Sequence, residues 1–249
     1  MLESKYGKDS DVVRVRVDGQ FPKGALDSFI SLETVELACS AFNKIKQSDI
    51  ESAKVLHIGV DVARFGDDKT VITARISTKV FEFRKYSKKG TMETAGNVIM
   101  CCKEYMKRFP YLKKCMIKVD DTGVGGGVTD RLNEVIREDR LPFMVIPVNN
   151  GESATDEYYF NLGGQLWGKV KELLEINFSS NLQGKNDIQI ELPNDEEMIK
   201  QLSVRKYHMT SKGKIQLETK KEMKERGIGS PDTADSLALA FYEPDTWLY

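Results

Sequence analysis

Between residues 55 and 148 the chain alternates apolar runs of strand length with stretches of helical period, an order that calls for a sheet covered by helices. Val55-Leu56-His57-Ile58-Gly59-Val60 is nearly continuous in its apolar character and ends at Asp61, the pattern of a central buried strand. Thr70–Ile76 and Val80–Tyr86 follow at short range, with Gly66-Asp67-Asp68 as the first turn. These strands are therefore expected to run antiparallel. Thr91 reads as the cap of a helix. Its apolar positions Met92, Ala95, Ile99, Cys102, Tyr105, Met106 and Phe109 keep a 3.6 period until Pro110 stops it. Cys115–Val119 is a fourth strand running into Asp120-Asp121. A glycine-rich turn, a helix through Leu132, Val135 and Ile136, and a fifth strand, Phe143–Val148, come next. Strands reached through helices run parallel, so the expected fold is α/β with a mixed sheet flanked by helices.

A long helix is expected around Phe160–Ile176, with Leu162, Leu166, Trp167, Val170, Leu173 and Leu174 on one side. Residues 187–218 read as an insertion: a short helix near Asp195–Leu202, then a hairpin with arms Ser203–Met209 and Lys214–Leu217, turning at Ser211-Lys212-Gly213. Pro231 opens a last helix, Asp232–Tyr242, at the first-turn position that proline favours. Residues 1–50 differ from the rest. Val12–Val17 alternates like a strand and Ser31 is placed to cap a short helix, but the segment is too small for a domain and reads as a linker or docking arm. The folded domain is assigned to residues 51–249.

Composition removes several functional classes. Lys and Arg number 37 against 38 Asp and Glu, a formal charge of −1, so any attraction to phosphate must come from local patches. Two histidines and four cysteines without a CxxC pair argue against a zinc site, and the thiols read as buried and free. No run of 18 apolar residues occurs and the N-terminus lacks a secretory pattern, so a cytosolic location is expected. Gly123-Val124-Gly125-Gly126-Gly127 fails the dinucleotide spacing because residue 128 is Val.

The chemistry is carried by aspartates. Asp61 ends the first strand and Asp120 the fourth; in open α/β sheets functional groups gather at such carboxyl ends. Asp232 and Asp235 are three apart on the last helix and share a face. Singly, each reads as a turn, cap or helix-dipole residue. Jointly, they make a cluster whose repulsion divalent cations relieve. Mg²⁺ and Mn²⁺ favour such oxygen donors, and two ions roughly 3.5–4 Å apart suit displacement at phosphorus. Asp67, in the first turn, is within sequence reach of a metal-bound water. Asp121 points away from Asp120 along the strand and reads as structural.

IGVDVARFGDDKTVI (58–72), KVDDTGVGGGVTDRL (118–132) and KGKIQLETKKEMKERGIGSPDTADSLALAF (212–241) resemble the nuclease domain of phage large terminase subunits, and VDGQFP (17–22) resembles the stretch that follows their motor domain. The resemblance implies a ribonuclease H-like fold and a metal-dependent endonuclease that cuts concatemeric viral double-stranded DNA during genome packaging. It places catalytic metal ligands at Asp61, Asp120 and Asp232, with Asp235 matching an acidic position of related junction resolvases. It also implies an ATPase domain, a portal protein and a small terminase subunit as partners, and the host cytoplasm, transiently at the procapsid portal, as location. No G-x-x-x-x-G-K-[ST] occurs, so the chain reads as a C-terminal nuclease domain with part of its linker. Two other readings stay open: a Holliday-junction resolvase or transposase-like nuclease, and a non-catalytic docking module of a packaging motor.

Basic residues cluster twice. Lys79, Arg84, Lys85, Lys88 and Lys89 oppose only Glu82, and Arg84 and Lys85 are candidate DNA contacts. Between 205 and 226, eight Lys and Arg face three acids. Lys206, Lys212, Lys214, Lys220 and Lys221 are the DNA-binding candidates there, because the hairpin leads directly to Asp232. Tyr207 and His208 are read as hairpin packing, His57 as a satisfied core residue, and Trp247 as a possible protein contact.

Overall fold

The computed structural model describes residues 28–63, 68–185 and 187–244. The expected strand at Val12–Val17, the VDGQFP stretch, Asp67 and Trp247 lie outside these residues.

Five strands form one sheet: β1 (Val55–Asp61), β2 (Thr70–Ile76), β3 (Lys79–Tyr86), β4 (Lys114–Asp120) and β5 (Phe143–Val148), in the order β3-β2-β1-β4-β5. β1, β2 and β3 are antiparallel neighbours, while β4 is parallel to β1 and β5 to β4. The sheet is mixed, as expected from the sequence, and the architecture fits the ribonuclease H-like fold that the resemblance implied. α1 (Leu32–Ser40) and α2 (Gln47–Ser52) precede β1, α3 (Thr91–Arg108) joins β3 to β4, and α4 (Gly125–Glu138) joins β4 to β5. After them come α5 (Leu162–Leu182), α6 (Glu196–Val204), the hairpin β6 (Tyr207–Met209) and β7 (Ile215–Leu217), α7 (Lys220–Glu225) and α8 (Asp232–Ala240).

Strand parity divides the molecule into two cores. Leu56, Ile58 and Val60 of β1, with Ile72, Ala74 and Ile76 of β2 and Cys115, Ile117 and Val119 of β4, face a core shared with α3 and α4. The intervening residues of these strands face α8. There His57, Arg75 and Lys118 form a buried polar floor: Lys118 Nζ lies 2.6 Å from His57 Nδ1, and Arg75 Nε and Lys118 Nζ donate to the Ala240 carbonyl at 2.6 and 3.2 Å. The Arg75 guanidinium and the Lys118 amine thus close the C-terminal end of α8, where orphan carbonyls carry partial negative charge. Burial first, then Arg75, pushes the Lys118 ammonium far below its usual range, and burial likewise lowers Arg75 to about 10.

α8 can lie on the sheet because residue 59 has no side chain. A Cβ at Gly59 would stand 2.1 Å from the Ser236 carbonyl oxygen and 2.5 Å from the Ala240 nitrogen, both backbone. Gly59→Ala is therefore expected to cost about 3 kcal/mol, the upper part of the overpacking range, and to move α8 off β1. Urea denaturation measures this, and a loss below about 1 kcal/mol would contradict so close a contact.

Several boundaries differ from expectation for local reasons. Gly90, not Thr91, is the N-cap of α3. α4 begins at Gly125 rather than after the glycines, because a Cβ there would stand 1.7 Å from the Asp120 carbonyl oxygen and only glycine permits the helix to start so near the strand end. The hairpin arms are shorter than expected, since Ser203 and Val204 complete α6. Pro231 precedes α8 as its N-cap instead of occupying the first helical position. N-terminal to the expected boundary at 50/51, Phe29, Ile30, Val35 and Ala38 are buried in the second core with residues of α5, α6 and α8. Ser31 caps α1 as expected, accepting from the Thr34 N–H at 3.3 Å.

Candidate active site

β1 and β4 pair through Val60 and Val119, so Asp61 and Asp120 end side by side at the carboxyl edge of the sheet, on the face toward α8. Gly59 lets α8 approach, and its first turn then delivers Asp232 and Asp235 to the same place. All four line one cleft of about 610 Å³, together with Asp68, Asn150, Asn161, Arg205, Gln216 and Lys220. Sequence reasoning proposed this meeting of Asp61, Asp120, Asp232 and Asp235, and the structure brings the four together.

At its centre is a cation. Lys220 Nζ lies 3.3 Å from Asp61 Oδ2, 3.4 Å from Asp232 Oδ1 and 3.2 Å from Asp235 Oδ2. Lys220 was expected on the DNA-facing surface, but it neutralises the acids instead. Burial opposes its charge, yet Asp61, Asp235 and Asp232 together hold the ammonium protonated well above its usual range. Asp61 is pushed the other way: burial raises its carboxyl well above the carboxylate range, Lys220 only partly offsets this, and Asp235, Asp232 and Asp120 raise it further.

Each helix-borne acid has one oxygen tied down and one facing Lys220. Asp232 Oδ2 accepts from the Lys69 N–H at 2.8 Å. Asp235 Oδ1 accepts from Trp167 Nε1 at 2.8 Å and Arg205 Nη1 at 2.9 Å. Burial would raise the Asp235 carboxyl, but Lys220, Arg205 and the Trp167 indole hold it below the usual range. Arg205 also stacks on Trp167, 4.6 Å from the ring centre, and donates to the Glu218 carbonyl at 3.0 Å. Asp120 is held separately, by the Thr122 N–H and by Asn150 Nδ2, each at 3.1 Å. Asp121 accepts from Thr129 Oγ1 at 2.7 Å, the structural role expected of it.

Among the described residues no three Asp, Glu, His or Cys side chains are gathered at metal-ligating spacing. The donor chemistry nevertheless suits a hard divalent cation: the four converging acids supply oxygens only, and three of them already share one positive charge.

The basic patches resolve differently. Arg84 pairs with Glu82 at 2.7 Å and Glu104 at 2.6 Å, and Lys85 with Asp195 at 2.7 Å and Glu197 at 3.0 Å. Both were expected to contact DNA; each already pairs with acids, Glu104 from α3 and Asp195 and Glu197 at the start of α6, beside the local Glu82. In the second patch Arg205 and Lys220 serve the carboxylates and Arg226 clasps Glu218. Lys212 is exposed at the hairpin tip and Lys214 half-buried beside it. The Lys206 side chain is half-buried and its N–H donates to Glu218 Oε2 at 3.1 Å. Lys221 is exposed on α7, 3.9 Å from Glu225. The hairpin borders the cleft through Gln216 and Leu217.

Arg205, Trp167, Asn150 and the Lys69 N–H were not recognised as parts of the site, and Lys220 was read only as a DNA contact. One signal was available: Thr219 and Glu222 form a capping box, which marks Lys220 as the first residue of a helix pointed at the cleft.

No family model and no curated protein sequence matches the chain. Solved structures do. A lysine-to-alanine variant of the nuclease domain of the large terminase subunit gp2 of bacterial virus Sf6, with manganese and beta-thujaplicinol, superimposes with a TM-score of 0.73 at 20% identity over 87% of this chain and 99% of that one. The fold is that of a phage terminase nuclease domain. The Sf6 nuclease domain without that substitution gives a TM-score of 0.70 at 20% identity, with the same coverage. The large terminase nuclease from thermophilic phage G20c with bound cobalt gives 0.50 at 19% identity over 76% of this chain and 82% of that one. Several terminase nuclease structures of this fold thus carry divalent metals.

Proposed function

We propose that the chain is a divalent-metal-dependent DNA endonuclease of a phage packaging motor, cutting concatemeric double-stranded DNA with little sequence preference. The observation that carries this reading is the convergence of Asp61, Asp120, Asp232 and Asp235 from three separate elements on one cleft. Structure alone favours many functions for one fold, so the site has to bear the argument. A carboxylate cluster bordered by an exposed basic hairpin is built to receive cations and then a polyanion.

Asp61, Asp120, Asp232 and Asp235 are the residues that would hold Mg²⁺ or Mn²⁺, with two ions as the expected number and Asp67 as a further candidate near a bound water. Such ions supply an activated water and offset charge on the departing 3′ oxygen. The protein's own contribution is orientation. Trp167 and Arg205 fix Asp235, Lys69 fixes Asp232, and Asn150 fixes Asp120, so the reactive oxygens are aimed before substrate arrives. Lys206, Lys212, Lys214 and Lys221 would meet the phosphate backbone, a contact that is sequence-blind and weakened by salt. The ATPase domain, portal and small subunit, and the host cytoplasm as location, belong to the same reading.

Supercoiled plasmid incubated with Mn²⁺, Mg²⁺, Ca²⁺ or a chelator tests it. Nicking with Mn²⁺ or Mg²⁺ and none with chelator is expected. Activity in chelator would overturn the metal requirement, and strong preference for four-way junctions would move the assignment to a resolvase.

A further inference from the structure

Phe160 is 50% exposed, and among the described residues no other Phe, Tyr or Trp ring is as open to solvent. Its neighbour Tyr159 is buried at 4%. The exposure is imposed by rigid backbone. Tyr159 forms a parallel bridge with Ile215, the Ile215 N–H donates to the Tyr158 carbonyl at 2.8 Å, and the Phe160 N–H donates to the Ile215 carbonyl at 2.8 Å. The segment 158–160 is thus held against β7 by a single parallel bridge and its two flanking hydrogen bonds. Side chains alternate along such a segment, so fixing Tyr159 inward turns Phe160 outward.

The position of the ring gives it meaning. Asn161, the next residue, lines the carboxylate cleft and caps α5, and Gln216, next to Ile215 on β7, lines the same cleft. Phe160 therefore adjoins two cleft-lining positions without itself lining the cleft, and its backbone is tied to β7 of the hairpin that carries Lys212 and Lys214. Asp156 and Glu157 precede it, so attraction for phosphate comes from the hairpin side and the ring offers an apolar contact. An open aromatic ring beside such a cleft suits contact with a base or base step; such contacts tolerate any sequence because every base has an apolar face.

We propose that Phe160 is a DNA-positioning residue that packs against the bases of the duplex held at the carboxylates. This rests on the nuclease reading above. In Mn²⁺-dependent plasmid cleavage, Phe160→Ala should raise KM about tenfold while kcat and the half-saturating Mn²⁺ concentration stay unchanged. Phe160→Trp should restore KM. A duplex carrying 2-aminopurine near the cut should change fluorescence with the wild-type protein and not with Phe160→Ala. A wild-type KM for Phe160→Ala would overturn the proposal, pointing instead to a protein partner. A fall in kcat, or a raised Mn²⁺ requirement, would also overturn it, because the ring would then only support α5 and the hairpin. If the wild-type protein neither cuts nor binds duplex DNA, the nuclease reading itself fails, whatever the variants do.

Discussion

Lys220→Ala is expected to lower the stability of the metal-free protein and, at the same time, tighten its hold on Mn²⁺ by at least about tenfold, or about 1.4 kcal/mol. The two effects share one cause. Lys220 is the ammonium that three converging carboxylates share, and without it Asp61, Asp232 and Asp235 repel one another across a buried cleft. Removing one partner of a buried pair costs about 3–5 kcal/mol, but the Lys220 side chain is 44% exposed, so water screens part of the loss and about 1–3 kcal/mol is expected. A divalent ion then meets no competing charge, and its binding raises stability by mass action. Thermal unfolding of the wild-type protein and the variant across a Mn²⁺ titration reads both quantities. An identical Mn²⁺ response in the two proteins would show that Lys220 does not occupy the cation position.

Asp61→Asn should abolish cleavage, by about 10³-fold or more, while leaving the metal-free fold at least as stable as the wild type. The loss follows from removing one of the oxygen donors that would hold the ions against the reacting phosphate. The stability follows from the environment of the carboxyl: it is 3% exposed, and burial with three neighbouring acids disfavours its ionised form. The amide keeps the shape and discards the charge. Plasmid nicking and urea denaturation on the same preparations check the pair of outcomes. Retained activity would remove Asp61 from the chemistry, and a large loss of stability would show that its charge is structural.

The sheet was legible because each central strand carries its own signature. β2 and β5 have the limits read from sequence, and Asp61 and Asp120 could be placed at strand ends before any neighbour was known. That β1 and β4 adjoin was a guess, since strand order depends on which helix crosses where. What sequence did not show is who answers the acids. Lys220 looked like one of eight basic residues in a run, and only the short helix after Thr219 turns it inward. Trp167 was recognised as buried, but its donation to Asp235 depends on α5 and α8 meeting across 68 residues of sequence. The pairing of Arg84 and Lys85 was missed for the same reason: Glu104, Asp195 and Glu197 reach them from distant helices.

The tethering of Asp232 and Asp235 by one oxygen each has a further effect. A carboxylate pinned in this way cannot swing round to grip a guest ion with both oxygens, so each offers a single arm. A visiting ion must fill the rest of its shell from solvent or from the nucleic acid itself. If the chain is the metal-dependent nuclease proposed above, the protein alone would be a poor trap for metal; the strand to be cut would complete the assembly, which would make the centre a detector of coincidence, quiet between cuts.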